Sequence, residues 1–403
     1  MANDFQKKCL NDICLSITDG VHNTVIDDPD GEYFLLSCKN IKNGRINIGK
    51  NERKINKNTY DRLTKRTKTS KDDILITTVG TIGEMAIIKD SNPNYDFQRS
   101  VGIIKPDPSK VVPAFLYYAL KDEMAQINSL VKGAVQKCLF IGDIKNIVVK
   151  CPSIPNQKKI AAVLSSIDNK IEINEKMNQN LEEQIHCLFK SWFVDCEPFN
   201  GKMPSDWNII KLGSICNCAL GGTPSRKNES YWNGDIPWIN SGEVNNFRIL
   251  DASEYITKNG LDHSSTKLLP KKTVVLAITG ATLGQVSLLE IDTCANQSVI
   301  GVIPNEIVKY EYLYPLICFK IPELISHQTG GAQQHINNDN VKGLEVVLPS
   351  SKVMKEFSDI TNPLYKQISL NCFESKKLIE MRNALLPKLM SGEIDASKVK
   401  IEE

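Results

Sequence analysis

The two halves of this sequence repeat one pattern in register, and that repetition restricts the possible architecture more than any local motif does. Leu10-Asn11-Asp12-Ile13-Cys14 matches Leu212-Gly213-Ser214-Ile215-Cys216 at an offset of 202. Thr78-Val79-Gly80-Thr81-Ile82-Gly83 matches Thr279-Gly280-Ala281-Thr282-Leu283-Gly284 at 201, and Ser100-Val101 with Pro106 matches Ser298-Val299 with Pro304 at 198. Gly133-Ala134 returns as Gly331-Ala332 at 198, and Pro152 returns as Pro349 at 197. The offset only falls along the chain, as it does when two copies of one fold differ by a few loop residues. A chain of 403 residues also exceeds what one hydrophobic core usually organises, so length and pattern agree on two units.

Each copy has two parts. The first, residues 1–152 and 204–349, carries short β-branched runs broken by Gly, Pro, Asn and Asp, such as Asp73-Ile74-Leu75-Ile76-Thr77-Thr78 and Lys272-Thr273-Val274-Val275-Leu276-Ala277. These are strand and turn signals, and with helical stretches such as Pro113–Leu120 they predict a compact α+β domain in each copy. In the second part, residues 153–203 and 350–403, the period changes. Apolar residues fall three or four apart at Ile160, Val163, Ile167, Ile171, Leu181, Ile185 and Leu188, then again at Phe357, Ile360, Leu364, Ile368, Leu378 and Leu385. The expected fold is therefore two similar mixed α/β domains with two long antiparallel coiled-coil helices, related by an internal twofold repeat. Asn174 and Asn371 interrupt the seam at equivalent places, where a buried Asn fixes register and pairing. A helix of about 34 residues is about 50 Å long and would act as a spacer between the two domains.

Composition enters through charge and cysteine. The net charge is only +2, yet Lys39–Lys71 holds twelve Lys or Arg against Glu52 and Asp61, a local net of +10. A segment of that kind neutralises phosphates and releases counterions. The twelve cysteines lack framework spacing, and Met1-Ala2-Asn3-Asp4-Phe5 has neither a basic start nor an apolar core, so reduced thiols and a cytoplasmic location are expected. No apolar run approaches the roughly 20 residues of a membrane span.

The motifs then converge on one family. Pro152-Ser153-Ile154-Pro155-Asn156-Gln157-Lys158-Lys159-Ile160-Ala161 opens the first helix and Leu188-Phe189-Lys190-Ser191-Trp192-Phe193-Val194-Asp195 closes it. Pro204, Trp207, Leu212-Gly213, Gly221-Gly222-Thr223-Pro224-Ser225, Tyr231-Trp232 and Asp235-Ile236-Pro237-Trp238 follow, with Leu385–Ile394 near the end. In order and spacing the chain resembles the specificity subunits of type I restriction–modification systems over nearly its whole length. The resemblance implies target recognition domains at 1–152 and 204–349, each reading one part of a split, asymmetric DNA sequence. It further implies conserved helical regions at 153–203 and 350–403 that dock two methyltransferase subunits, an assembly that recruits restriction subunits. No cofactor is expected on this chain; S-adenosylmethionine, ATP and Mg²⁺ belong to the partners. The first copy departs from the second in having Phe5 for Trp207 and Asp19-Gly20-Val21-His22 for the Gly-Gly-Thr-Pro loop.

Catalytic chemistry is not written into the sequence. The alternative from the enzyme class is an adenine methyltransferase fragment or a fused restriction enzyme; an adenine methyltransferase needs a cofactor loop and an Asn-Pro-Pro-Tyr type pocket, whereas the nearest string is Asn92-Pro93-Asn94-Tyr95. Gly80/Gly83 and Gly280/Gly284 read as turns at strand ends rather than phosphate cradles. His22, His186, His263, His327 and His335 stand singly, and Cys216 and Cys218 are too close for the usual zinc pair. An assembly scaffold whose recognition domains have decayed is the third reading. For base and phosphate contact the expected residues are Lys65, Arg66, Thr67, Lys68, Gln98, Arg99, Gln136 and Lys137 in the first domain. In the second they are Thr223, Ser225, Arg226, Lys227, Gln333, Gln334, His335, Asn337 and Asn338, with Lys137 standing against His335 as an example of one position bearing two side chains. Helix pairing is expected through Ile160, Ile167, Ile171, Asn174, Leu181, Leu364, Ile368, Asn371 and Leu378.

Overall fold

The computed structural model describes residues 5–49, 51–133, 136–326 and 335–396. Contacts divide the chain into two units: Met1–Lys170 with Leu378–Glu403, and Ile171–Lys377. The boundaries fall inside the long helices Ile154–Phe193 and Ser351–Ser391, so each unit holds one lobe and a portion of both helices. Both helices run past the 34 residues read from periodicity, to 40 and 41. Pro155 sits in the first turn of the former, where a missing N–H costs nothing.

The duplication is realised strand for strand. In the first lobe a four-stranded antiparallel sheet runs Cys14–Asp19, Val101–Pro106, Ile74–Thr77, Met85–Ile87. In the second the order is Asn217–Leu220, Val299–Ile303, Val274–Ala277, Val286–Leu289, with Arg248–Ile249 added in parallel at the edge. The central strands Ile74–Thr77 and Val274–Ala277 are buried at every residue, which is why they read as unbroken apolar runs. A second sheet pairs Tyr33–Leu36 with Lys54–Ile55 antiparallel and with Tyr95–Phe97 parallel. Its counterpart pairs Trp232–Ile239 with Glu254–Ile256 and Cys294–Ala295 in the same senses. Left-handed residues coincide as well: Asp72 and Lys272, Gly80 and Gly280, Gly83 and Gly284. The glycines lie in the turn between two sheet strands in each lobe, as their spacing predicts.

Helix ends are core elements of the lobes rather than a narrow seam. Ile160, Ala161, Val163 and Leu164 are all buried in the first lobe's core, together with Leu389 and Met390. Ile185, Phe189 and Phe193 occupy the second lobe's core with Met354, Phe357, Tyr365 and Ile368, flanked by Leu181 and Leu364. Ile167 and Ile171 are buried and Leu378 half-buried, but Ile360 is 46% exposed, with Thr361 buried in its place. The periodicity placed Ile360 on the inner face one residue out of phase.

Within the second unit the two helices are antiparallel and joined by amides. Asn174 Nδ2 donates to Glu374 Oε2 at 2.7 Å and to Ser375 Oγ at 3.3 Å, while Asn371 Nδ2 donates to Asn178 Oδ1 at 2.9 Å. Asn174 and Asn371 do not meet each other. Adding the repeat offset of 197 turns 174 into 371 and 178 into 375, so the two contacts are copies of one contact. Asn178, absent from the sequence-based pairing set, is the missing member.

The second lobe is tied to the first long helix by a buried ion pair. Arg248 is 4% exposed and donates to Glu182 Oε2 at 2.6 Å, and Tyr314 donates to Glu182 Oε1 at 2.6 Å. Burial alone would raise the Glu182 pKa, but hydrogen bonds from His186, Arg248 and Tyr314 and the guanidinium charge outweigh it and hold it at about 2. Glu182→Gln leaves the Arg248 charge buried without its partner, and one-sided removal of such a pair costs about 3–5 kcal/mol. Because folded Glu182 ionises at about 2 against an ordinary 4.5, its contribution is complete above 4.5 and is lost as pH falls towards 2. Denaturant unfolding of wild type and variant should therefore differ most near neutrality and converge through that acid window; a constant difference would count against the lock.

Candidate nucleic-acid interface

One corner of each lobe is built by the same backbone hydrogen bonds. Gly20 N donates to Val101 O at 3.0 Å and Val21 N to Phe97 O at 2.7 Å; Gly221 N donates to Val299 O at 3.0 Å and Gly222 N to Ala295 O at 2.8 Å. Glycine is required by close approach, since a Cβ on Gly20 would lie 2.1 Å from Phe97 O and one on Gly221 2.2 Å from Asn296 O. Facing this loop is a tight turn, closed by Val101 N to Gln98 O at 3.0 Å and by Val299 N to Asn296 O at 3.1 Å. The Asp19–His22 loop is thus the structural counterpart of Leu220–Thr223, and His22 stands where Thr223 stands.

The same frame carries different side chains. In the first lobe exposed Arg66 pairs with Asp19, which also accepts from His22 Nε2 at 2.6 Å; exposed Lys65 and Lys68 lie close to Arg66 in sequence, and Arg99, also exposed, donates its backbone N to Val21 O at 2.9 Å. Lys65 and Arg66 form the last turn of Lys57–Thr67, capped by Lys68 in the left-handed region with a carbonyl that accepts from Lys105 Nζ at 2.6 Å. In the second lobe the matching helix is cut to Lys258–Asp262, and Ser264 and Ser265 follow it. Ser265 packs against Gly222, and Thr223 Oγ1 bonds Gln297, which is exposed. A basic corner and a neutral one therefore share one scaffold. Among the described residues no group of three His, Cys, Asp or Glu is placed to hold a metal ion.

The model of the type I restriction modification DNA specificity domain matches this chain twice, over residues 2–183 and 204–381. The chain belongs to this family. Both matches follow the phase of the internal repeat. Similar relatives include the type I restriction enzyme MjaIX specificity subunit of Methanocaldococcus jannaschii, 27% identical over 342 residues covering 80% of this chain and 78% of the relative. The HindI specificity subunit of Haemophilus influenzae is 23% identical over 389 residues, covering 77% and 84%. The fold is similar to the crystal structure of the type I restriction-modification S subunit from M. genitalium, with a TM-score of 0.60, 18% identity and 96% of each chain covered. Its place among specificity subunits makes this chain a DNA-recognition component and not a catalytic one.

Several residues expected to read DNA in this specificity subunit have structural occupations instead. Thr67 is 1% exposed and its hydroxyl donates to buried Asp96 at 2.7 Å, so it stitches the helix to the sheet. Asn337 caps Asn338–Gly343, accepting from Asn340 N at 2.7 Å, and Asn338 Nδ2 reaches Cys218 O at 3.4 Å. Gln98 is half-buried, whereas Gln136, Lys137, Ser225, Lys227 and His335 are exposed. Gln333 and Gln334 lie outside the described residues, as does His327. His335 bridges Thr279 as Cys138 bridges Val79, so its counterpart is Cys138 rather than Lys137. Gln297, Ser264 and Ser265 escaped the sequence reading. Gln297 was accessible to it, since it precedes Ser298-Val299 as Arg99 precedes Ser100-Val101.

Arg226 is a clamp. Its guanidinium stacks over Trp232 with 3.7 Å to the ring centroid and pairs with both oxygens of Glu254, the second at 2.8 Å. Glu254 pairs with Trp238 across the sheet, and Leu35, the residue matching Trp238, bonds Arg53. Arg53 in turn pairs with Asp27 of the first lobe's loop. Loop and edge strand are thus joined by an ion pair in both lobes, with the charges exchanged. Arg226→Glu or Glu254→Arg alone should loosen the 223–231 loop, detected as faster proteolysis there, and the double exchange should restore protection. Because the pair is exposed, the coupling should be at most about 1 kcal/mol; a double variant no better than the singles would exclude the clamp.

Proposed function

We propose that each lobe reads one part of a two-part, asymmetric sequence in double-stranded DNA, the first lobe holding phosphate more strongly than the second. The observation that carries this reading is the shared corner: identical backbone hydrogen bonds hold His22 and Arg99 in one lobe and Thr223 and Gln297 in the other, with Arg66 paired to Asp19 in the first and Ser265 packed on Gly222 in the second. Two unlike surfaces on one scaffold are what two unlike half-sites require, while a scaffold that had lost recognition has no reason to keep both corners. The long helices would dock two methyltransferase subunits, and that assembly would engage restriction subunits. Exposed Ile173 and Leu370, 54% and 65% accessible and related by the offset of 197, support two equivalent docking points. Methyl transfer and ATP chemistry would reside on those partners with S-adenosylmethionine, ATP and Mg²⁺. The cytoplasm is the compartment where such a complex meets DNA; in the described residues no helix is long and apolar enough to cross a membrane.

Mapping modified adenines in a host that expresses this chain with its methyltransferase partner tests the reading. A motif in two short tracts with a fixed unread gap is expected, and a single continuous motif would refute it. Charge reversal of Lys65 and Arg66 should weaken DNA binding more, and flatten its salt dependence more, than reversal of Arg226 and Lys227, because the former lie in the Lys39–Lys71 segment of local net charge +10 whereas the segment from Arg226 to Lys272 is nearly neutral. Equal losses measured by salt titration would contradict the assignment of a basic and a neutral lobe.

A further inference from the structure

Resting on the two-lobe reading above, we propose that Arg99 and Gln297 are equivalent base-reading side chains, Arg99 for a guanine in one half-site and Gln297 for an adenine in the other. Four backbone hydrogen bonds define their common place. Gln98 N donates to Leu36 O at 2.8 Å and Asn296 N to Ile239 O at 2.9 Å, fixing the start of the turn on the smaller sheet. Thr78 N donates to Ser100 O at 2.9 Å and Ile278 N to Ser298 O at 3.0 Å, fixing its end on the larger sheet. Anchored to two sheets, the residue between can change identity without moving the backbone. The residues that follow it are kept, Ser100 and Ser298, then Val101 and Val299, and the one before it is an amide in both lobes, Gln98 and Asn296. Arg99 and Gln297 differ in charge and hydrogen-bonding pattern, and both are exposed, whereas Gln98 and Asn296 are half-buried.

Their chemistry supplies the assignment. The Arg guanidinium presents two parallel donors that match O6 and N7 of guanine, and the Gln amide presents one acceptor and one donor that match N6 and N7 of adenine. The surroundings fit this division. Arg99 N donates to Val21 O at 2.9 Å, and no described residue takes its guanidinium, which leaves the fork free. Thr223 Oγ1 bonds Gln297 Oε1, restraining the amide while its NH₂ stays unused. Side chains held before binding lose less entropy on contact, so Gln297 is prepared for directional recognition.

The test uses the full chain assembled with its methyltransferase subunits. Arg99→Gln, Gln297→Arg, Arg99→Ala and Gln297→Ala are each expressed, and methylated sites are mapped genome-wide. Arg99→Gln should convert one guanine of the first half-site to adenine and leave the second half-site unchanged. Gln297→Arg should convert one adenine of the second to guanine. The Ala variants should relax the same single positions, with discrimination falling roughly 10- to 100-fold. An unchanged motif in all four, or loss of methylation at every site by complexes that still assemble, overturns the assignment. A wild-type motif without two parts would instead defeat the two-lobe reading itself.

Discussion

Neither lobe closes its own hydrophobic core; both depend on burial against the long helices. The first lobe is completed by Ile160, Ala161, Val163 and Leu164 from one helix and by Leu389 and Met390 from the other. The second takes Ile185, Phe189 and Phe193, then Met354, Phe357, Tyr365 and Ile368. Each large apolar side chain so buried contributes about 1.5–3 kcal/mol, so removing either helix costs a lobe an amount comparable to a small domain's net stability of about 5–15 kcal/mol. The chain also closes on itself: Phe193 packs on Trp207 at the start of the second lobe, while Phe5 at the start of the first lies against Gly392 after the last helix. The repeat is cyclic in its packing although linear in its covalent order.

Polar groups fix what apolar contact leaves loose. A seam of Ile and Leu tolerates sliding, because one apolar contact resembles the next. Buried Asn174, Asn178 and Asn371 do not tolerate it, since a shift would strand amides at about 1–3 kcal/mol each. Register in the second unit is therefore specified by the Asn174–Ser375 and Asn178–Asn371 contacts, two copies of one interaction. Arg248 and Glu182 do comparable work between lobe and helix, fixing orientation at a desolvation cost that Tyr314 and His186 help to offset.

The sequence disclosed architecture better than surface. Duplication, helix period and strand runs are properties of the core, where burial imposes a regular pattern; Ile74–Thr77 and Val274–Ala277 could be read directly. Ile360 was misplaced because steps of three and of four both satisfy a helical period, and at this turn the inward position is the polar Thr361, four residues after Phe357. The structural roles of Thr67 and Asn337 were not legible because a polar side chain in a loop or last turn looks the same whether it faces DNA, caps a helix or bonds a buried carboxylate. The ion pair of Arg226 with Glu254 spans 28 residues, and that of Arg53 with Asp27 spans 26, so no local pattern announces either. Its reversal of sign removes the similarity by which a repeat search would find it.

That reversal also shows how the lobes can diverge. Exchanging the charges of a closed pair leaves the loop tied to its strand and alters no charge balance outside the lobe, because both partners lie in the same lobe. The corner residues obey the same logic: Arg66 is balanced by Asp19, and Gln297 is bonded by Thr223, each within its own lobe. Changes at one corner therefore create no unpaired buried group at the other. What cannot vary so freely is the shared frame, above all Gly20 and Gly221, where any side chain would collide with main-chain oxygen. A constant backbone corner with self-contained polar contacts lets one fold, used twice, carry two different sets of side chains.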